Sequence, residues 1–160
     1  MTVALVLGGA SCIHDDIAAA AKLFKPDVIM AVKDIGITWP HVDHWATFHP
    51  ERLPRELPMR RNAGLPDPGA IWVQQAANVP ELSKDGKFRG IPVRRQKIAG
   101  GSSGLLGTLA ALQVADKVVL VGIPLDPKQV HYRRPKRQGW PPATMYRLAW
   151  REVHSTIKDR

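Results

Sequence analysis

One cysteine, Cys12, is all the thiol chemistry this 160-residue chain carries. It excludes an intramolecular disulfide framework and a cysteine-based zinc site, and it fits a reducing interior. Acids are also scarce: 14 Asp and Glu against 23 Lys and Arg leave a formal net charge of +9. That balance points toward anionic partners such as nucleic acid, nucleotides or an acidic protein surface. No apolar run approaches the roughly 18 residues that a membrane span requires. The opening Met1-Thr2-Val3-Ala4-Leu5-Val6-Leu7 has no cationic leader, so the expectation is a cytoplasmic protein with no membrane partner. What is present suffices for a core, since 44% of the residues are hydrophobic and 160 residues suit a single domain spanning residues 1–160.

Strand-like and helix-like segments alternate along the chain. Val3 to Leu7 is a continuous apolar run ending in Gly8-Gly9, as a strand buried on both faces would be. Asp15 and Asp16 open a helix reaching Phe24, stopped by Pro26 and Asp27, and Val28 to Val32 is a second apolar run. Residues 3–32 therefore read as a βαβ unit. Asp43 to Phe48 suggests a third strand, Glu51 to Arg61 a helix interrupted by Pro54 and Pro58, and Leu65 to Gly69 a loop. Ile71 to Val73 and Val93 to Ile98 read as short strands on either side of the polar loop Lys84 to Lys87. An apolar helix over Leu105 to Val114 precedes a strand over Lys117 to Gly122. A basic loop at 128–140 leads to a last helix at about 141–157, introduced by Pro141-Pro142 and carrying Met145, Leu148, Ala149 and Val153 on one face. The expected class is α/β: a mainly parallel sheet of about five or six strands with helices on both faces.

In such sheets ligands bind beyond the carboxyl ends of the strands, where the winding reverses. Those ends are Gly8 to Ser11, Lys33-Asp34, His49-Pro50, Gly100 to Ser103 and Pro124 to Asp126. Two glycine turns stand out, Gly8-Gly9-Ala10-Ser11 and Gly100-Gly101-Ser102-Ser103-Gly104, each between an apolar run and a helix-like stretch. The first helical amides after such a turn lack intrahelical partners and carry the positive end of the helix dipole, a setting for phosphate or carboxylate. The first turn matches neither a dinucleotide fingerprint, since Ala10 and Ile13 occupy the later positions, nor a Walker A loop. The first also serves as a plain tight turn under a helix, and Asp15 and Asp16 would repel a phosphate there. The second, with two serines and no nearby acid, is the better anion site.

Other residues carry chemistry more weakly. His41, Asp43, His44 and His49 suggest a metal, but in an extended strand Asp43 and His49 share one face while His44 faces the other, so no metal ligand set is assigned. Asp43 and His49 remain a candidate rim pair, beside the alternative of a buried histidine satisfied by backbone. Cys12, near a helix start, is in a setting that can lower a thiol pKa, or it is simply a small residue in a turn. Lys128, Arg133, Arg134, Lys136 and Arg137 form one basic group, and Arg94, Arg95 and Lys97 a second. In a transferase His131 would accept a proton while Arg133 and Arg134 neutralise a leaving phosphate, the loop acting as a flap over the rim. The mixture of rings and cations at Tyr132 to Trp140 equally suits nucleic acid.

The Gly-Gly-x-Ser turn at Gly8 to Ser11, the segment Asp43-His44-Trp45-Ala46-Thr47 and the run from Gly101 to Asp126 resemble a Rossmann-like superfamily. It includes the archaeal 6-hydroxymethylpterin diphosphokinase-like proteins and bacterial sialyltransferases. Along more of its length the chain is similar to proteins of bacteriophages and prophages. The resemblance implies a single Rossmann-like domain that binds a nucleotide or a sugar-nucleotide-like anionic ligand, with group transfer as the reaction. It places Gly8, Gly9 and Ser11 on the phosphate side, Ser102, Ser103 and Gly104 opposite, and Asp126 closing the rim. Lys33 stands where sialyltransferase-like members usually carry an Asn that contacts the nucleotide, and Asp34 follows it on the rim. The catalytic candidates are His131, Asp126 and His49. The resemblance names no cofactor. A phage origin would place the protein in the bacterial host cytoplasm or the virion, as a homo-oligomer or assembly component. The competing reading is a non-catalytic basic phage protein that binds nucleic acid, a host protein or the virion.

Overall fold

The computed structural model describes residues 1–98, 100–126, 128, 130 and 143–157. Strand β1 (Val3–Leu7) leads to helix α1 (Ile13–Ala21), strand β2 (Val28–Val32), the short helix α2 (Ile35–Thr38) and strand β3 (His44–Ala46). A single 3₁₀ turn (Pro50–Arg52) runs into α3 (Leu53–Asn62), followed by β4 (Ala70–Gln74), β5 (Lys87–Phe88) and β6 (Ile91–Gln96). Helix α4 (Ser103–Ala111), β7 (Lys117–Val121) and α5 (Ala143–Ile157) complete it. The strands form one seven-stranded sheet in the order β5-β6-β4-β3-β2-β1-β7, parallel throughout except for β5. Among the described residues no helix is long and apolar enough to cross a membrane.

Seven strands exceed the expected five or six. The extra one is β5, at the end of the expected polar loop, where Phe88 is fully buried and pairs with Ile91. Two residues carry no periodicity, so pairing alone reveals them as a strand. The third strand is shorter than expected, because only His44 to Ala46 pair on both sides.

The apolar runs are continuous because the sheet has a core on each side. Leu5, Leu7, Ala31, Trp45, Ile71 and Val73 pack with Ile13, Ile35, Leu53 and Leu57, under the first three helices. Ala4, Val6, Met30, Val32, Ala46 and Trp72 pack with Leu106, Ala110 and Ala111 of α4. Right-handed crossovers account for this division: winding from β1 out to β4 lays helices on one face, and the return from β6 to β7 lays α4 on the other. The winding thus reverses beside β1, between β2 and β7.

Helix α3 survives its two prolines. Pro54 lies in the first turn, where the missing amide costs nothing. Pro58 cannot bond the Pro54 carbonyl, and that oxygen instead accepts Arg89 Nη1 at 3.3 Å, while Arg89 forks onto Glu81 at 2.8 and 3.1 Å. On the opposite side of α3 a fully buried Arg60 donates to the carbonyls of Gly36, Trp39, Pro40 and Pro66. It closes the carboxyl end of α2 and the turn before β4.

The last helix departs from expectation. Met145 and Leu148 are 71% and 59% exposed. Ala149 of that face lies against the rim: a Cβ built on Gly101 would lie 3.2 Å from its methyl.

Candidate functional site

The carboxyl ends of β1, β2, β3 and β7 and the amino end of α4 form one rim. At the β1 end the peptide groups are largely occupied. Gly8 N–H donates to Val121 O at 2.8 Å, Ala10 N–H to Gly122 O at 3.0 Å and Ser11 N–H to Val130 O at 2.9 Å. Asp16 Oδ2 accepts Gly122 N–H at 2.8 Å and the Cys12 thiol at 3.2 Å. The glycines here serve close packing: a Cβ on Gly8 would fall 2.3 Å from Ile123 Cγ1. Cys12 is no activated nucleophile. Burial, then its hydrogen bond to Asp16, pushes the thiol up to about 11, against the lowering expected beside a helix start.

The second glycine turn is built differently. Ser102 is the extended N-cap of α4, and its Oγ accepts Leu105 N–H at 3.2 Å. Ser103 Oγ accepts Phe48 N–H at 3.3 Å, which ties the exit of β3 to the start of α4. Each hydroxyl keeps its own proton to donate. The amides of Ser103 and Gly104 come before the first intrahelical bond, Leu106 N–H to Ser102 O. Gly101, at φ +112, is the turn that brings the chain in. Ser102 and Ser103 are 7% and 8% exposed, with Ala149 over Gly101 and Ile123 beside Gly104. Ile123 therefore separates the two glycine turns, touching the Cβ positions of both Gly8 and Gly104.

At the end of β2, Lys33 has φ +54, a left-handed conformation that costs a non-glycine residue about 1–3 kcal/mol. Its N–H donates to Ala46 O at 2.9 Å, and its carbonyl accepts Trp45 Nε1–H at 2.8 Å and Gly36 N–H at 2.9 Å. The indole lies flat over Gly36, where any Cβ would be 2.2 Å from the ring. Asp34 takes the position before α2 without a side-chain capping bond, and Glu56 of α3 lies within its electrostatic reach. Glu56 is 2% exposed, and burial, then the Asp34 carboxylate, raises its carboxyl above the usual range against the pull of Arg55 and Arg52. Glu56 was missed in the sequence. The signal was there, since residues 53, 56, 57 and 60 form a buried stripe at helical spacing with an acid and a base on it.

The histidines divide between the two ends of β3. Asp43 Oδ2 accepts Ile29 N–H at 2.7 Å and Asp43 Oδ1 lies 3.1 Å from His41 Nε2, before β3 begins. His49 follows the strand and pairs through Nδ1 with Glu51 Oε1 at 3.0 Å. Asp43 and His49 are therefore not a rim pair: one face of a strand still has two ends. No group of three metal-ligating side chains occurs among the described residues. His44 packs edge-on against Trp72 at 6.1 Å, its pKa lowered by burial and then by Arg94.

Asp126 Oδ1 accepts Lys128 N–H at 2.9 Å, a local turn bond. Leu125 before it is left-handed at φ +52, and its carbonyl accepts Arg147 Nε–H at 2.9 Å. The basic group on β6 is divided by strand alternation: Arg94 lies over the Trp72 ring at 5.5 Å, while Arg95 donates to the carbonyls of Gln75 and Ala77. His131, Arg133 and Arg134 lie outside the described residues, as does the rest of the expected basic loop apart from Lys128 and Val130.

The rim thus offers one cradle of helix-end amides with two hydroxyls, a histidine held by a carboxylate and a lysine on the next strand. No family model, curated protein or solved structure matches this chain.

Proposed function

We propose that this chain is a Rossmann-like protein that binds a nucleotide or a nucleotide-linked substrate by its phosphates at the carboxyl rim. The observation that carries the reading is the start of α4. Ser102 caps Leu105 and Ser103 holds Phe48, so the amides of Ser103 and Gly104 are left at the positive end of the helix. Lys33 supplies a cation from the neighbouring strand end. The turn after β1 has a supporting role, because its amides are spent on β7 and the segment after it. Ala149 on Gly101 makes α5 the element that must yield to a ligand.

Group transfer at this site would use His49. With Nδ1 on Glu51, the ring presents Nε2 to accept a proton, the arrangement of a general base oriented by a carboxylate.

The test is a thermal-shift and calorimetric screen against nucleotides, sugar nucleotides and pterins, with Ser103→Ala alongside wild type. A binder raises the melting temperature by mass action. Ser103→Ala should then weaken it by about 1 kcal/mol, the worth of one hydrogen bond. No response to any of them, with salt-dependent binding of duplex DNA that Arg133→Gln and Arg134→Gln flatten, would overturn this reading in favour of a non-catalytic basic protein.

A further inference from the structure

The two edges of the sheet are unlike. One is β5, two residues long and carrying Lys87. The other is β7, Lys-Val-Val-Leu-Val, with no proline, glycine or acid, and with Leu120 37% exposed. Among the described residues β1 is the only strand paired with β7. Natural sheets usually blunt such an edge with short strands, inward charges, proline or a bulge. The β5 edge is blunted by its two-residue length, whereas β7 is a full five-residue strand whose one charge, Lys117, stands at its start.

The β1–β7 ladder determines which peptide groups face outward. Lys117 N–H donates to Thr2 O at 3.1 Å and Val121 O accepts Gly8 N–H at 2.8 Å. In a parallel ladder alternate residues turn both their groups to the same neighbour. The peptide groups of 117, 119 and 121 therefore face β1, and the N–H and C=O of Val118 and Leu120 face away. The side chains of Val118 and Leu120 both lie on the α4 side of the sheet, where Val118 packs on that core.

We propose that β7 is a self-association edge, pairing antiparallel with β7 of a second copy of this chain about a two-fold axis at Val119. In this register Val118 of one copy lies opposite Leu120 of the other, and the reverse. Each of these opposed pairs exchanges two N–H···O=C bonds, so all four outward N–H groups and all four carbonyls are satisfied. The partly exposed valine and leucine side chains meet on a common face. The two Lys117 residues stand at opposite ends, whereas a register centred on them would set like charges directly against each other. The pattern is self-complementary, as a two-fold interface requires: it sets the half-buried Val118 against the exposed Leu120 and keeps the two lysines apart, which favours a second copy as the occupant. Strand pairing is small beside the roughly 800 Å² per partner of a standard interface, so the association depends on concentration.

Sedimentation velocity over a dilution series of the full chain tests this, with hydrogen exchange read at the amides of Val118 and Leu120. Val118→Pro removes an outward N–H and leaves the β1 ladder intact, while Leu120→Lys places a charge opposite Val118 of the other copy. The wild type should shift from monomer to dimer with concentration, and the two amides should gain protection as it does. Both variants should remain monomeric with wild-type circular dichroism, and if Val118→Pro fails to fold, Leu120→Lys decides. A wild type that stays monomeric at every concentration, or a folded Leu120→Lys that dimerises like the wild type, overturns the proposal.

Discussion

Gly8 and Gly122 approach each other so closely that a Cβ on Gly8 would lie 2.4 Å from the Gly122 carbonyl oxygen, and one on Gly122 would lie 2.6 Å from that of Gly8. Strands β1 and β7 leave the sheet together here, where the winding reverses. Gly122 also has φ +65. Gly122→Ala should therefore cost about 1–2 kcal/mol for the left-handed backbone alone, and more for the clash with the Gly8 carbonyl. Urea denaturation measures it, and a loss under about 0.5 kcal/mol, the ordinary surface range, would contradict the packing role.

Arg60 is a buried cation held by four carbonyls, with Asp67 in electrostatic reach but no carboxylate hydrogen-bonded to it among the described residues. Replacing it with Met leaves those oxygens without their donor, so a loss of about 3 kcal/mol or more is expected. Arg60→Lys should recover little of it, because one ammonium cannot span acceptors spread over a planar fork. Equal stability of Arg60→Lys and wild type in urea would show that charge, and not geometry, is what the site needs.

Glu56 carries a sign that pH can read. Its folded carboxyl is raised above the ordinary 4.5, by burial and then by Asp34. The folded state favours the protonated form, so the stability this group contributes is present below that ordinary value and is lost as pH rises through the folded one. Glu56→Gln mimics the protonated carboxyl and should melt higher than wild type at pH 7, with the gap closing on acidification. A lower melting temperature at pH 7 would mean that attraction from Arg52 and Arg55 outweighs desolvation.

Cys12 should alkylate slowly at neutral pH. Its rate should keep climbing toward about pH 11, and Asp16→Asn should bring the inflection back toward the ordinary 9.0. By the same linkage, this thiol's contribution to stability falls as pH rises across that window. Iodoacetamide labelling of the folded wild type and of Asp16→Asn against pH checks this, and a wild-type plateau reached near neutral pH would show an activated thiolate.

Much of the architecture could be read from local pattern. Val28 to Val32 pairs over the expected span, and the strand after α4 ends one residue before the expected Gly122. Strand β2 lies inside the sheet and β7 on its edge, half-buried, yet both apolar runs end in polar or glycine residues whatever surrounds them. Strand β5 and the end-to-end separation of Asp43 from His49 were not legible, because short pairings and strand ends depend on partners far along the chain. Of the candidate site, the Ser102 to Gly104 turn was visible as a glycine turn with two serines before an apolar helix, and its capping bond was not. The engagement of Gly8 to Ser11 with β7 and Val130 was not.

The sequence by itself determined the α/β class, the presence of the four longer helices and the basic balance, since each follows from residue type and short-range spacing; α2 was not legible, and α1, α3 and α4 each start two residues from the expected position. Only the tertiary structure decided which glycine turn keeps donors at the rim, that Glu56 and Arg60 are buried charges, and that β7 is left as an edge. Those outcomes depend on which segments come to lie beside one another, and burial and hydrogen-bond partners take their energy from neighbours distant in the chain.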